Sequence, residues 1–208
     1  MKNIVPEQIE GKQLDCHKSI DFSSIAKAES FYWEAKKKLF DVSHWHHITK
    51  GPSAIFCIVD ASNQVVDRPV HREDHIRIDI PGPGLPSAKG YDWVNVEDII
   101  QEESITFKRV VLTLRPCPDP TNEDKDIAHF FRDIATSTIL IEQHNTNVFL
   151  HYAGRNEVIN TENASIADNI RNFLVGLGAK MGASFPQWKA LIEGLGEIEN
   201  QSIHLESI

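Results

Sequence analysis

Residues Thr136 to Gly154 read TSTILIEQH, NTN, VFLHYAG: two apolar, β-branched runs divided by a short asparagine turn. Each half is too short for a buried helix and rich in residues that fit a pleated surface, and Asn145 and Asn147 tolerate the positive φ that a tight turn demands. A hairpin cannot bury its apolar side alone. It needs further strands beside it and another layer across its face, and the rest of the chain must supply those partners.

SAIFCIVD, ASN and QVVDRPV, after Gly51-Pro52, form a second hairpin pattern, and the unbroken apolar run Ala54 to Val59 is expected to be covered on both faces. HIRIDIP alternates cleanly. Ile76, Ile78 and Ile80 are expected in the interior, with His75, Arg77 and Asp79 on the opposite face. Prolines and glycines then break the chain over PGPGLPSAKG. YDWVNV reads as a short strand, EDIIQEES as a helical turn, and ITFKRVVLTLR as a long strand whose pattern slips once, which places a β-bulge near Lys108-Arg109.

Helical periodicity flanks these strands. Ile25, Ala28, Tyr32, Ala35, Leu39 and Val42 recur at three- and four-residue steps behind a Ser23-Ser24 cap. Thr121 and Ser165 open two further helical patterns with capping boxes, the second running through Phe173 and Met181. A last helix follows Ser184, with Trp188, Leu191, Ile192 and Leu195 on its apolar side and Gly196 at its end. Strands and helices do not alternate regularly. The expected fold is therefore α+β, a curved antiparallel sheet packed against N-terminal and C-terminal amphipathic helices. A single domain spans residues 1–208, with 1–20 an extended, loosely packed arm and 197–208 a frayed tail.

The formal charge of −9 disfavours nucleic acid and anionic membrane surfaces as partners. No stretch reaches the roughly 20 apolar residues of a membrane helix, and the N-terminus has no signal-peptide core. Cys16, Cys57 and Cys117 fit no CxxC motif and read as free thiols, so the chain is expected in a reducing cytoplasm. Cys57 falls in an apolar strand, whereas Cys117, between prolines, is expected to be more exposed.

Imidazole and carboxylate side chains cluster in HWHH and HREDH. His44 and His46 would share a face of an extended segment, and His75 and Asp79 share a strand face. Together with His71 they form a candidate divalent-metal set, since such donors suit zinc or iron. HREDH is not HExxH, and a turn-to-strand segment does not hold positions four apart together. The competing reading is a polar strand face.

HYAGRNEVIN places Arg155, Asn156 and Glu157 in an expected loop between a strand and a capped helix. The guanidinium fork could hold a carboxylate or phosphate; a structural turn accounts for the same residues. Tyr91 and Trp93, beside the proline-rich loop, could offer an aromatic binding surface or fold back onto the core. Phosphate-loop spacings and GxSxG are absent, and Ser137 with His129 is a pairing that chance supplies in most chains.

Two functions are compatible with this pattern. The first is a non-catalytic binding or interaction domain for a small apolar ligand or a protein partner, with no cofactor. The alternative is a metal-dependent enzyme, a hydrolase for instance, using His44, His46, His71 and His75. Assembly as a homo-oligomer is a third, weaker expectation.

Overall fold

A computed structural model describes residues 4–49, 54–79, 91–123, 131–160 and 184–198. Within them one sheet contains β1 (Lys12–Asp21), β2 (Ile55–Val59), β3 (Val65–Val66), β4 (His75–Asp79), β5 (Asp92–Glu103), β6 (Phe107–Pro116), β7 (Thr136–His144) and β8 (Asn147–Glu157). Its order is β1-β8-β7-β6-β5-β4-β2-β3, and every neighbouring pair is antiparallel. The helices are α1 (Ile25–Phe40), the single turn α2 (Trp45–Ile48) and α3 (Ser184–Leu195), with a 3-10 turn over Val42–His44. The α+β class and the antiparallel sheet packed against helices are both present in this arrangement. Among the described residues no helix is long and apolar enough to cross a membrane.

The sheet has a helix-covered inner face and a far face. Ile76 and Ile78 are 0% and 7% exposed on the inner face, while His75 and Arg77 are only half-buried and Asp79 is exposed opposite them; Ile80 lies outside the described residues. Ser24 caps α1 by accepting from the Lys27 amide, and Lys37 and Lys38 occupy the favourable C-terminal turn. Its buried stripe is Ala28, Phe31, Tyr32, Ala35 and Leu39, with Ile25 outside it. α1 packs on β7 and β8, α2 on β2, and α3 on β1 and β8. Leu191, Ile192 and Leu195 of α3 are buried as expected, and Trp188 packs against the same core.

Several local expectations are corrected. Residues 12–21 are not a loose arm but a ten-residue strand paired along its length with β8. Charges alternating with Leu14, Cys16 and Ile20 hid its period. β2 is covered on both faces only toward its end: Phe56 and Ile58 are buried on the inner face and Val59 on the far face, while Ile55 is half exposed. EDIIQEES is no helical turn but the second half of β5, and the irregularity lies there, between Val96 and Asp98, not at Lys108-Arg109. β6 alternates without a slip because Lys108 itself takes an inner position. Lys108 is 4% exposed and reaches Glu29 at 3.1 Å and Glu103 at 3.8 Å; its apolar stem packs while the ammonium keeps partners. Of Asn145 and Asn147, only the first takes the left-handed turn conformation, at φ 52°. The helix expected from Ser165 lies outside the described residues, as does most of that after Thr121.

Candidate ligand-binding site

β8 changes sides before it ends. Side chains alternate along a strand, so Tyr152 and Gly154 share the inner face and Arg155 points away. Glu157 has the parity of Arg155 and would go outward with it. The pairing prevents this: Lys12 stands opposite Glu157 and Leu14 opposite Gly154, so three steps on β8 match two on β1. Asn156 supplies the extra residue, in the left-handed region at φ 54°, a β-bulge that re-aims the next side chain. Glu157 thus returns to the inner face, and Gly154 leaves room for it. A Cβ at residue 154 would lie 2.4 Å from Glu157 Oε1 and 3.1 Å from the Tyr152 hydroxyl.

Asn156 holds the bulge by its side chain. Its Oδ1 accepts from the amides of Ile9 at 2.7 Å and Glu10 at 3.2 Å, and its Nδ2 donates to the Glu7 carbonyl at 3.0 Å. Arg155 is a structural residue on the far face, donating to both oxygens of Asp15 at 2.9 and 3.2 Å. Burial alone would raise the Asp15 pKa; hydrogen bonds from Arg155, Gln13 and His151 outweigh it and bring it down to about 2. Arg155 and Asn156 therefore belong to a strand end, not a free loop, and only Glu157 of that set faces inward.

Tyr152 is fully buried, its oxygen 3.0 Å from Ser137 Oγ, and Glu157 Oε1 lies beside it over Gly154. Phenol has one proton to donate. Either hydroxyl can donate across the Ser137–Tyr152 contact, and the Glu157 carboxylate beside them adds an acceptor. Burial raises the Glu157 pKa above the usual range, against the opposing pull of Tyr152, Lys12 and Arg155. The Tyr152 proton is held well above its ordinary value by burial and then by the Glu157 charge.

Trp188 of α3 stacks on Tyr152 with centroids 4.6 Å apart and planes at 14°. Leu14 and Cys16 of β1 complete this corner, and burial pushes the Cys16 thiol up to about 11, leaving it a neutral apolar group. At the centre of the sheet the inner face is sealed: Val110, Leu112, Ile139 and Ile141 are 0% exposed, while Ile20, Val66 and Ile99 toward its rim are partly buried. At the Tyr152 corner Leu14, Cys16, Ser137, Glu157 and Trp188 are all only partly buried. Solvent therefore reaches the inner face at this corner, where a carboxylate and two aromatic rings meet.

The histidines do not converge as a metal set. His44 and His46 sit in consecutive helical turns, not in an extended segment, and the His71 amide donates to Asp74 at 2.8 Å while its side chain remains exposed. His75 is on the far face, where burial lowers its pKa. Among the described residues, the group whose ligand atoms lie within 4.8 Å of one another is Asp41, His44 and Asp67. It borders a surface cleft of about 330 Å³ lined by Lys38, Asp41, His44, His47 and Ile48. His44 Nδ1 is 2.7 Å from Asp41, whose hydrogen bond raises the imidazole pKa, and Asp67 is 3.9 Å away with its side chain 77% exposed. The geometry accounts for a surface ion pair; metal sites usually orient their ligands through a buried outer shell.

Trp93 is not a surface aromatic. It is 2% exposed in a small far-face cluster with Val59 and Cys117, with Tyr91 against them under the Arg77 guanidinium at 4.6 Å. Cys117 is buried rather than exposed, and burial pushes its thiol up to about 12.

No protein-family model matches the chain, and no curated protein does. Among solved structures it is similar to a hypothetical protein from Helicobacter pylori at 13% identity, covering 88% of this chain and 85% of that one with a TM-score of 0.47. A START superfamily protein from Mycobacterium smegmatis matches at 11% identity over 89% and 98%, with a TM-score of 0.38. The ginseng major latex-like protein 151 from Panax ginseng matches at 12% identity over 81% and 95%, with a TM-score of 0.35. None of these likenesses assigns a function to the chain.

Proposed function

We propose that the chain is a non-catalytic binding domain for a small, largely apolar ligand. The ligand lies at the open corner of the inner face, its polar end at Glu157 and its apolar body against Trp188 and Leu14. The inward turn of Glu157 carries this reading. A partly desolvated carboxylate is unfavourable unless something offsets it, and its placement here takes a bulge, a left-handed asparagine and a glycine with no side chain. Ligand sites combine an apolar wall with a few fixed polar groups in this manner, and perturbed acids concentrate at them. Acid–base turnover is poorly served, because Tyr152 holds its proton far above neutrality.

Titration with N-phenyl-1-naphthylamine, a neutral apolar fluorophore, tests the proposal. The expected result is saturable one-to-one binding that weakens about tenfold or more in both Trp188→Ala and Gly154→Leu, the loss of one well-packed aromatic contact being of that order. Thermal melts of both variants separate lost binding from lost folding. Absence of saturable binding, or undiminished binding in folded Trp188→Ala, contradicts the proposal.

A further inference from the structure

The chemical class of the ligand, which rests on the interior site just proposed, is set by the polar groups that line it. The Ser137 and Tyr152 hydroxyls are engaged with each other at 3.0 Å, and the Glu157 carboxylate lies beside them over Gly154. An ionised carboxylate has about four acceptor positions and no proton, so what Glu157 offers an incoming molecule is acceptor capacity alone. Lys12 and Arg155 act on Glu157 through space, and Arg155 is turned to the far face in its pairing with Asp15. The neighbouring wall is the Trp188 ring, stacked on buried Tyr152, and indole faces attract cations.

We infer that the site takes an apolar ligand bearing a protonated nitrogen, an alkyl or aryl ammonium whose N–H groups donate to Glu157 while its hydrocarbon lies along Trp188 and Leu14. A ligand carboxylate would meet like charge there, and an alcohol could supply a single neutral donor.

Octylamine, octanol and octanoate share one hydrocarbon body and differ only in the head. Their affinities, measured at pH 7 below micellar concentrations by displacement of N-phenyl-1-naphthylamine, test the assignment. The amine is expected to bind about tenfold or more tightly than the alcohol, in line with the advantage of a charge-assisted hydrogen bond, with octanoate weakest. Glu157→Gln should bring the amine down to the level of the alcohol while leaving the alcohol within about twofold. Tyr152→Phe, which keeps the carboxylate, should retain the amine preference and so guards against a folding effect. Equal affinity of amine and alcohol, or an amine preference that survives Glu157→Gln, would overturn the ammonium assignment and leave the interior site standing. Failure of all three molecules and of the fluorophore would remove both.

Discussion

Replacement of Trp45 by alanine is expected to lower the free energy of unfolding by about 3–5 kcal/mol. Trp45 is 0% exposed and joins four elements. Its ring meets Phe56 of β2 edge-on at 5.1 Å and Trp188 of α3 at 6.4 Å, and its Nε1 donates to the Leu39 carbonyl of α1 at 3.1 Å. The substitution removes a large apolar surface, leaves a cavity between sheet and helices, and strands a buried carbonyl without its donor; the three losses act in one direction. Guanidinium denaturation followed by circular dichroism measures the change. A loss below about 1 kcal/mol would show that the helices are not held to the sheet through this residue.

Gly194→Ala is the second large effect, and its sign is set by two opposed magnitudes. Alanine is the better helix former by roughly 0.5–1 kcal/mol, which alone would stabilise α3. At this position, however, a Cβ would stand 2.1 Å from the Ile48 carbonyl oxygen and 2.8 Å from its carbon, backbone atoms of α2 that cannot rotate away. Overpacking of this kind costs about 1–3 kcal/mol or more, so the variant is expected to be less stable, with α3 displaced from α2. Because α3 carries Trp188, probe binding should weaken along with stability. A variant as stable as the parent, with unchanged binding, would mean that α3 does not dock where the structure places it.

The class of fold was legible because the strongest signals are local. The apolar β-branched run over Thr136–His144, the alternation over His75–Asp79 and the three- and four-step stripe of α1 arise from strand propensity and from the strand and helix periods themselves. The misreadings occurred where a tertiary partner overrides the pattern. Lys108 reads as an interruption because a buried lysine is rare; only Glu29 and Glu103, which the fold brings to it, show why it faces inward. β1 has the polar composition of an edge strand, and its pairing with β8 closes a separation of more than a hundred residues. The candidate site was half legible. Glu157 stood out as part of GRNE, but a bulge is a register event between two strands, so its inward turn is invisible in one of them. The glycine and the asparagine were the available signal: glycine next to an expected strand marks close approach, and asparagine tolerates left-handed backbone. The histidine set failed for the opposite reason. Spacing along the chain brings His44 and His46 near each other but says nothing of His75, which the pleat sends to the far face.

Site-resolved titration of the Glu157 carboxyl by carbon-13 NMR bears most directly on the inward placement of that group against Tyr152. Burial raises its pKa and Tyr152 draws it back, with Lys12 and Arg155 the other groups acting on it. The midpoint is expected above that of an ordinary glutamate and should climb further in Tyr152→Phe, which removes the opposing pull of the phenol. A carboxyl whose folded pKa exceeds its unfolded value binds more protons when folded, so its contribution to stability falls as pH rises between the two. An ordinary midpoint that ignores Tyr152→Phe would place Glu157 in solvent and contradict the account.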